Sequence, residues 1–482
     1  MIRRLAFVLL VAAILPAGVA RATVFDHDDD GDVDFYDAQD FATCLVGPGG
    51  AAGEDCTAFH DGDSDLDVDL ADVAALQAAF TDASPARIHE LTFTGTYFHA
   101  IKIDCPSGSC SSYSTPHWRD VNLDGDAEDS GENQFPVAYQ RNKPVRLSGV
   151  RFDGAGIDPE VPNVPVRGTG PDGLVFEGTA TLSGSELVVS GYLDSSSSLP
   201  NTVKYYDTFD IAWEVALDGV TYVPAGISRN TMYVTYAAPT GDQLESYYYI
   251  STPAASGLSS SQDIIDAIWA EFADLEVYNA YGERLGYYRG ILCASYCTYY
   301  SAAELVYYTN SQCGGWADLL MECFNVQGIS GSQFITIQPR GTPYLPVDCG
   351  SWPASAAGFI VNNYQYMLGD TSGCASYPFR LNDPCGYYSA WSPATCVDAI
   401  GLPGQDNDNP ASWFARHFIV KINSRYYDPS YGAGPFEGTT EQACSTWEAS
   451  AISGYFGTAT SSPQRLGVRR DSPQVRETSF SE

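Results

Sequence analysis

The chain has 482 residues, 60 acidic against 24 basic, for a formal charge of −36. Lysine stands at only four positions, Lys102, Lys143, Lys204 and Lys421. Such a surface repels phosphate backbones, which excludes nucleic acid as a partner, and suits the binding of cations. The length fits about three domains.

In chain order, residues 1–22 read as a secretory signal peptide. Arg3 and Arg4 form the positive start, Leu5 to Leu15 the apolar core, and Ala20-Arg-Ala22 the small-residue cleavage site. No later segment is apolar and long enough to span a bilayer. The expected protein is therefore exported, secreted or held at the cell surface, with no membrane span. Thirteen cysteines in an exported chain imply disulfides.

Residues 23–82 contain no Lys or Arg and repeat one pattern twice. The first copy carries Asp26, Asp28, Asp30, Asp32 and Asp37; the second carries Asp61, Asp63, Asp65, Asp67 and Asp72. Oxygen donors at loop positions 1, 3, 5, 7 and 12 are the EF-hand arrangement for Ca2+. Each loop runs into a short apolar helix, 38–45 and 73–80, giving a small all-α unit with structural calcium. The pair resembles a dockerin-type repeat module. The resemblance implies a cohesin-like or other docking partner, with Phe35-Tyr36 and Leu70-Ala71 where well-known dockerins carry a Ser/Thr contact pair.

Residues 88–245 predict an all-β domain, most simply an immunoglobulin-like sandwich. Leu91, Phe93 and Tyr97 share one parity, and Ile211, Trp213, Val215 and Leu217 alternate up to a turn at Asp218-Gly219. Strands are expected after that turn, at Val220 to Tyr222, and at 232–237. A third acidic loop, Asp120 to Glu128, matches the first half of a calcium loop and lacks a carboxylate at position 12.

A third domain is expected over 256–460, followed by a polar, flexible tail, 461–482. Ser260 can cap a helix bearing Ile265, Ile268, Trp269 and Phe272. A helix over 302–308 precedes another that starts at Cys313, carries Trp316, Leu319, Leu320, Cys323 and Phe324 on one face, and stops at Gly328. A cysteine at a helix N-terminus feels the positive end of the macrodipole, which favours the nucleophilic thiolate. Of six histidines only His417 lies beyond residue 117. It opens a hairpin turning at Asn423-Ser424, whose register makes His417 and Asp428 diagonal neighbours on one face. Cys313, His417 and Asp428 are thus a candidate nucleophile, base and orienter.

This order of residues, with the Cys313 helix ending in Gly328-Ile329 and the hairpin carrying Asp428-Pro429, resembles the transglutaminase-like superfamily of cysteine enzymes over residues 259–456. The resemblance implies an α+β, papain-like catalytic domain acting on a protein or peptide substrate, as a peptidase, an amidase or an acyltransferase, with no organic cofactor. The rival class is a non-enzymatic adhesion or assembly protein that keeps the fold as an inactive scaffold. Cys44 with Cys56, and Cys105 with Cys110, can close local loops. The odd cysteine total leaves one thiol when all others pair, and Cys313 is the expected one.

Overall fold

The computed structural model describes residues 44, 86–106, 109–123, 125, 127, 129–154, 163–241, 243–287, 301–339, 403–407, 417–439, 442, 443 and 446, together with the backbone of strands 356–361, 413–414, 452–458, 466–470 and 478–481. The segment expected as a signal peptide, and all ten aspartates of the two expected calcium loops, lie outside the described residues. Within 23–82 only Cys44 is described; it is helical, buried and disulfide-bonded.

The first described unit is all β. Its strands are β1 (Arg87–Thr94), β2 (Phe98–His99), β3 (Trp118–Arg119), β4 (Asn133–Gln134), β5 (Val137–Gln140), β6 (Pro144–Asp153), β7 (Val164–Thr169), β8 (Val175–Ser183), β9 (Glu186–Val189), β10 (Tyr192–Ser198), β11 (Lys204–Val215) and β12 (Val223–Thr235). Period-two alternation puts Leu91 and Phe93 of β1, and Ile211, Trp213 and Val215 of β11, into one core. All twelve strands are hydrogen-bonded into a single sheet, in the order β2-β5-β12-β11-β7-β8-β10-β6-β1-β3-β4, with β9 bridging β6 and β8. This is a β-rich unit consistent with the expected sandwich architecture. The path folds back on itself, so β1, β3 and β4 pack against β12. The buried Asn230 of β12 secures that return by donating to the His117 and Phe135 carbonyls at 3.0 and 2.9 Å.

The expected strands at 220–222 and 232–237 give way to one strand of 13 residues, β12. Val215 pairs with Val223, so the connection is longer than a two-residue turn. The Asp218 carboxylate organises it by accepting from the backbone N–H of Val220 and Thr221 at 2.8 and 2.6 Å. Pro224 and Gly226 masked the strand's start in the sequence.

The second unit opens earlier than expected, with helix α1 (Glu245–Ala254), then α2 (Ser261–Ala273), α3 (Ala302–Tyr308) and α4 (Cys313–Val326). The Ser260 hydroxyl accepts from Asp263 N at 3.2 Å and caps α2, as its sequence predicts. Gly328, at φ +66°, closes α4; Ile329 N then reaches back to Phe324 O at 3.0 Å. The strands here are β13 (Gly286–Tyr287), β14 (Asn310–Ser311), β15 (Gln333–Pro339), β16 (Ala356–Val361), β17 (Trp413–Phe414), β18 (His417–Ile422), β19 (Arg425–Asp428), β20 (Ala433–Phe436), β21 (Ile452–Thr458), β22 (Leu466–Arg470) and β23 (Thr478–Ser481). They form sheets ordered β20-β19-β18-β15-β23 and β17-β16-β21-β22, plus the pair β13-β14. Residues 461–482, expected as a flexible tail, thus supply β22 and β23. The alternation Leu466-Gly-Val468 was hidden there by a polar, Arg-bearing composition.

The two units share a core. Ile101, Ala138, Val203 and Tyr233 of the β unit are buried in one cluster with the faces of α1, α2 and α4. Arg141 donates to the carbonyls of Tyr236, Asn201 and Ser259 at 2.9 to 3.0 Å. Gln327, fully buried at the end of α4, donates to Ser251 and Thr252 of α1 and accepts from Tyr236 N.

Candidate active site

Helix α4 begins at Cys313 itself. Gln312, before it, makes no side-chain cap, and no acidic residue stands in the first turn. The N-terminal dipole therefore meets the thiol without a competing carboxylate. The start of the helix is fixed from two sides. Trp316 Nε1 donates to Gly286 O at 3.3 Å, and its ring meets Phe272 edge-on at 6.1 Å. A Cβ on Gly315 would lie 2.3 Å from Ser311 Oγ and 2.9 Å from Ser311 Cβ, so only glycine lets β14 pass this close. Trp316, Leu319, Leu320, Cys323 and Phe324 are all buried, as their helical spacing predicts.

The candidate base, His417, stands on the β18–β19 hairpin. Asn423 and Ser424 both have positive φ, +49° and +62°, as a two-residue type I′ turn requires. Ile422 faces Arg425 and Val420 faces Tyr427, which carries Asp428 opposite Ile419 and diagonal to His417. His417 Nε2 lies 2.8 Å from Asp428 Oδ2, with both side chains 1% exposed. The other carboxylate oxygen, Oδ1, accepts from Ser430 N at 3.2 Å.

With Nε2 committed to Asp428, Cys313 stands near enough to act on the His417 ring by charge and hydrogen bond. Burial by itself pushes the imidazole down. The Asp428 charge, the Cys313 charge and the hydrogen bonds to both outweigh it, and His417 is raised to about 10. The structure thus pairs His417 with Asp428 and sets Cys313 close enough to influence the ring. The arrangement favours an imidazolium between a carboxylate and a sulfur, a group able to give a proton to a leaving amine.

Four nearby residues were not singled out in the sequence. The Tyr431 ring lies 5.7 Å from the His417 ring, and Tyr287 meets Tyr431 edge-on at 5.3 Å. Ser430 orients Asp428, and Gln405 is buried beneath the same turn. The turn is pinned by Gly432, at φ +58°, where a Cβ would lie 2.9 Å from Ala273 O. The signal available was the run Asp428-Pro-Ser-Tyr-Gly432 itself.

The expectation of a single free thiol is corrected. Among the described residues Cys313 and Cys323 are both free, and Cys105–Cys110 is a disulfide. Cys323 sits on the core face of α4, where burial first, and the Glu322 charge second, push its thiol up. That thiol is therefore a packing group and a poor nucleophile.

In the third acidic loop, the buried Asp120 carboxylate accepts from Leu123 N and Gly125 N at 2.6 and 3.0 Å, and Glu132 accepts from Val121 N and Asp129 N. Among the described residues no cluster of three or more His, Cys, Asp or Glu could hold a metal ion, and no helix is long and apolar enough to cross a membrane.

No protein-family model matches the chain, and no curated protein matches it. Among solved structures it is similar to red sea bream transglutaminase, at 14% identity and a TM-score of 0.24, over 62% of this chain and 51% of that one. The chain thus spans about half the length of that protein. At this score the likeness bears no weight, and the site stands on its own geometry.

Proposed function

We propose that the chain is a cysteine enzyme of transglutaminase-like type that passes amide or peptide acyl groups through a Cys313 thioester. The observation that supports this is the buried His417–Asp428 pair, Nε2 to Oδ2 at 2.8 Å, whose imidazole also feels Cys313 at the N-terminus of α4. Cys313 Sγ attacks the carbonyl carbon, and the S–C bond forms. The C–N bond breaks as His417 gives its proton to the leaving ammonia or amine. Water or a second amine then attacks the thioester, His417 takes back a proton, and Cys313 is released. Asp428 holds the imidazole in orientation throughout and stabilises its charged form. Hydrolysis needs no second acceptor site and is the reading we favour.

The substrate is a protein or peptide. The remaining elements of this reading are export by the 1–22 signal and a calcium-loaded docking module over 23–82. The test is labelling by a peptide-based thiol-reactive probe, with the modified residue identified by mass spectrometry. Fast labelling at Cys313 alone supports the enzyme. Cys313 is 3% exposed, so an intact protein that excludes every probe supports the inactive scaffold instead.

A further inference from the structure

We infer that Gln405 is a positioning residue for the Asp428–His417 pair, an inference that rests on the acyl-transfer reading of Cys313. Gln405 is fully buried and belongs to a separate segment ahead of the hairpin that carries His417 and Asp428. Its segment folds into a tight turn in which Gly404 and Asn407 exchange backbone hydrogen bonds at 2.8 and 3.2 Å, with Asp406 at φ +44° between them. From that turn Gln405 reaches two structures at once.

The first is the turn after Asp428. Gln405 Nε2 donates to Pro429 O at 2.8 Å, and Gln405 N donates to Ser430 O at 3.1 Å. Two bonds thus fix the peptide units on either side of Ser430. That fixing aims Ser430 N at Asp428 Oδ1, at 3.2 Å, and leaves Oδ2 to His417. Nε2 also donates to Phe272 O at 2.7 Å, which anchors the amide to the end of α2. The second structure is β13. Tyr287 N donates to Gln405 O at 2.7 Å, and Asn407 Nδ2 donates to Tyr287 O at 2.8 Å. Tyr287 packs on Tyr431, which packs on the His417 ring. β13 pairs with β14, which leads directly into Cys313. Gln405 therefore ties the strand beside the nucleophile to the loop that holds the orienting carboxylate.

The side chain works through its donors alone. Gln405 Oε1 meets no donor among the described residues. Substitution by methionine, of similar length, then removes both donated bonds and no others. A carboxylate at this position would turn two carbonyls toward a third acceptor, and only its protonated form could restore one bond.

The experiment measures the rate of iodoacetamide alkylation at Cys313 against pH, with thermal melting in parallel, for the wild type, Gln405→Met, Gln405→Glu and Asn407→Ala. We expect Gln405→Met to lower the rate at neutral pH by about tenfold, as displaced catalytic geometry does, and to change the shape of its pH profile. Asn407→Ala, which cuts the Tyr287 tie but keeps both side-chain bonds of Gln405, should shift the profile less than Gln405→Met does. For Gln405→Glu the rate relative to wild type should fall as pH rises and the carboxylate ionises, which reads the proposal even where the methionine variant does not fold. Profiles for Gln405→Met and Gln405→Glu that overlay a normal wild-type profile would overturn the proposal alone. A wild type with no pH-dependent alkylation at Cys313 would overturn it together with the reading of the site.

Discussion

His117 and His417 are buried almost equally, at 4% and 1% exposure, and their environments push them in opposite directions. His117 lies in the β unit between the rings of Phe93 and Phe98, and its Nδ1 accepts from Phe93 N at 3.1 Å. Burial lowers it to about 4. His417 has Asp428 on Nε2 at 2.8 Å and also feels Cys313, and is raised to about 10. Burial alone therefore makes a neutral, structural imidazole. A buried carboxylate partner holds the same ring in its charged form instead.

The largest break in this comparison is removal of the group His417 serves. Cys313→Ala should abolish turnover and probe labelling and leave the fold intact; measurable turnover in this variant would remove Cys313 from the mechanism. His417→Ala should cost about 10²–10⁴-fold in rate, the usual worth of a positioned acid–base group. Asp428→Asn makes His417 resemble His117, a buried ring without a charge partner. It should lower the rate and bring the imidazole down from its raised value, to be read by NMR titration in a Cys313→Ala background.

Packing around the site gives the next effect. Gly315→Ala forces Cβ against Ser311 and should cost about 1–3 kcal/mol in denaturant unfolding, as overpacking does, with slower labelling at Cys313. Wild-type labelling and stability in that variant would mean that β14 yields freely.

The two histidines also predict opposite slopes of stability with pH. His117 sits below its ordinary 6.5, so the unfolded chain binds more protons between that value and about 4. Its contribution is present above about 6.5 and is lost as pH falls, by roughly 3 kcal/mol at most. His417 is raised, so its contribution is present below 6.5 and is lost as pH climbs toward 10. Melting curves across pH should lose the acid slope in His117→Gln and the alkaline slope in His417→Gln. The smallest effect on the site should come from chelating calcium, which is expected to loosen 23–82 and leave labelling at Cys313 unchanged. Calorimetry of an isolated 23–82 fragment checks the calcium side.

The chemistry was more legible in the sequence than the frame around it. A two-residue turn fixes register, so Asn423-Ser424 and simple parity were enough to place His417 beside Asp428. The Cys313 helix was visible because its apolar spacing and Gly328 agree. Helix α1 was not visible: Tyr, Ser and Thr crowd it, and Pro253 stands inside it. Its hydroxyls at Ser251 and Thr252 make sense only once Gln327 is packed against them. Gln405 was hidden for a related reason. Most of its partners are backbone atoms, and side-chain identity does not announce a backbone bond. Cys323 defeated the pairing argument because a helix buried on nearly every side accepts a thiol simply as a small apolar group.

The interior shared by the β unit and the helices also bears on how such a chain is inherited. Ile101, Val203 and Tyr233 sit among residues of α1, α2 and α4, and Arg141 latches the linker at Tyr236 to the residue before the α2 cap. A recombination event that cut near residue 245 would strip one wall from each half and expose apolar surface on both. The β unit and the helices are therefore inherited as one piece, not as two exchangeable halves.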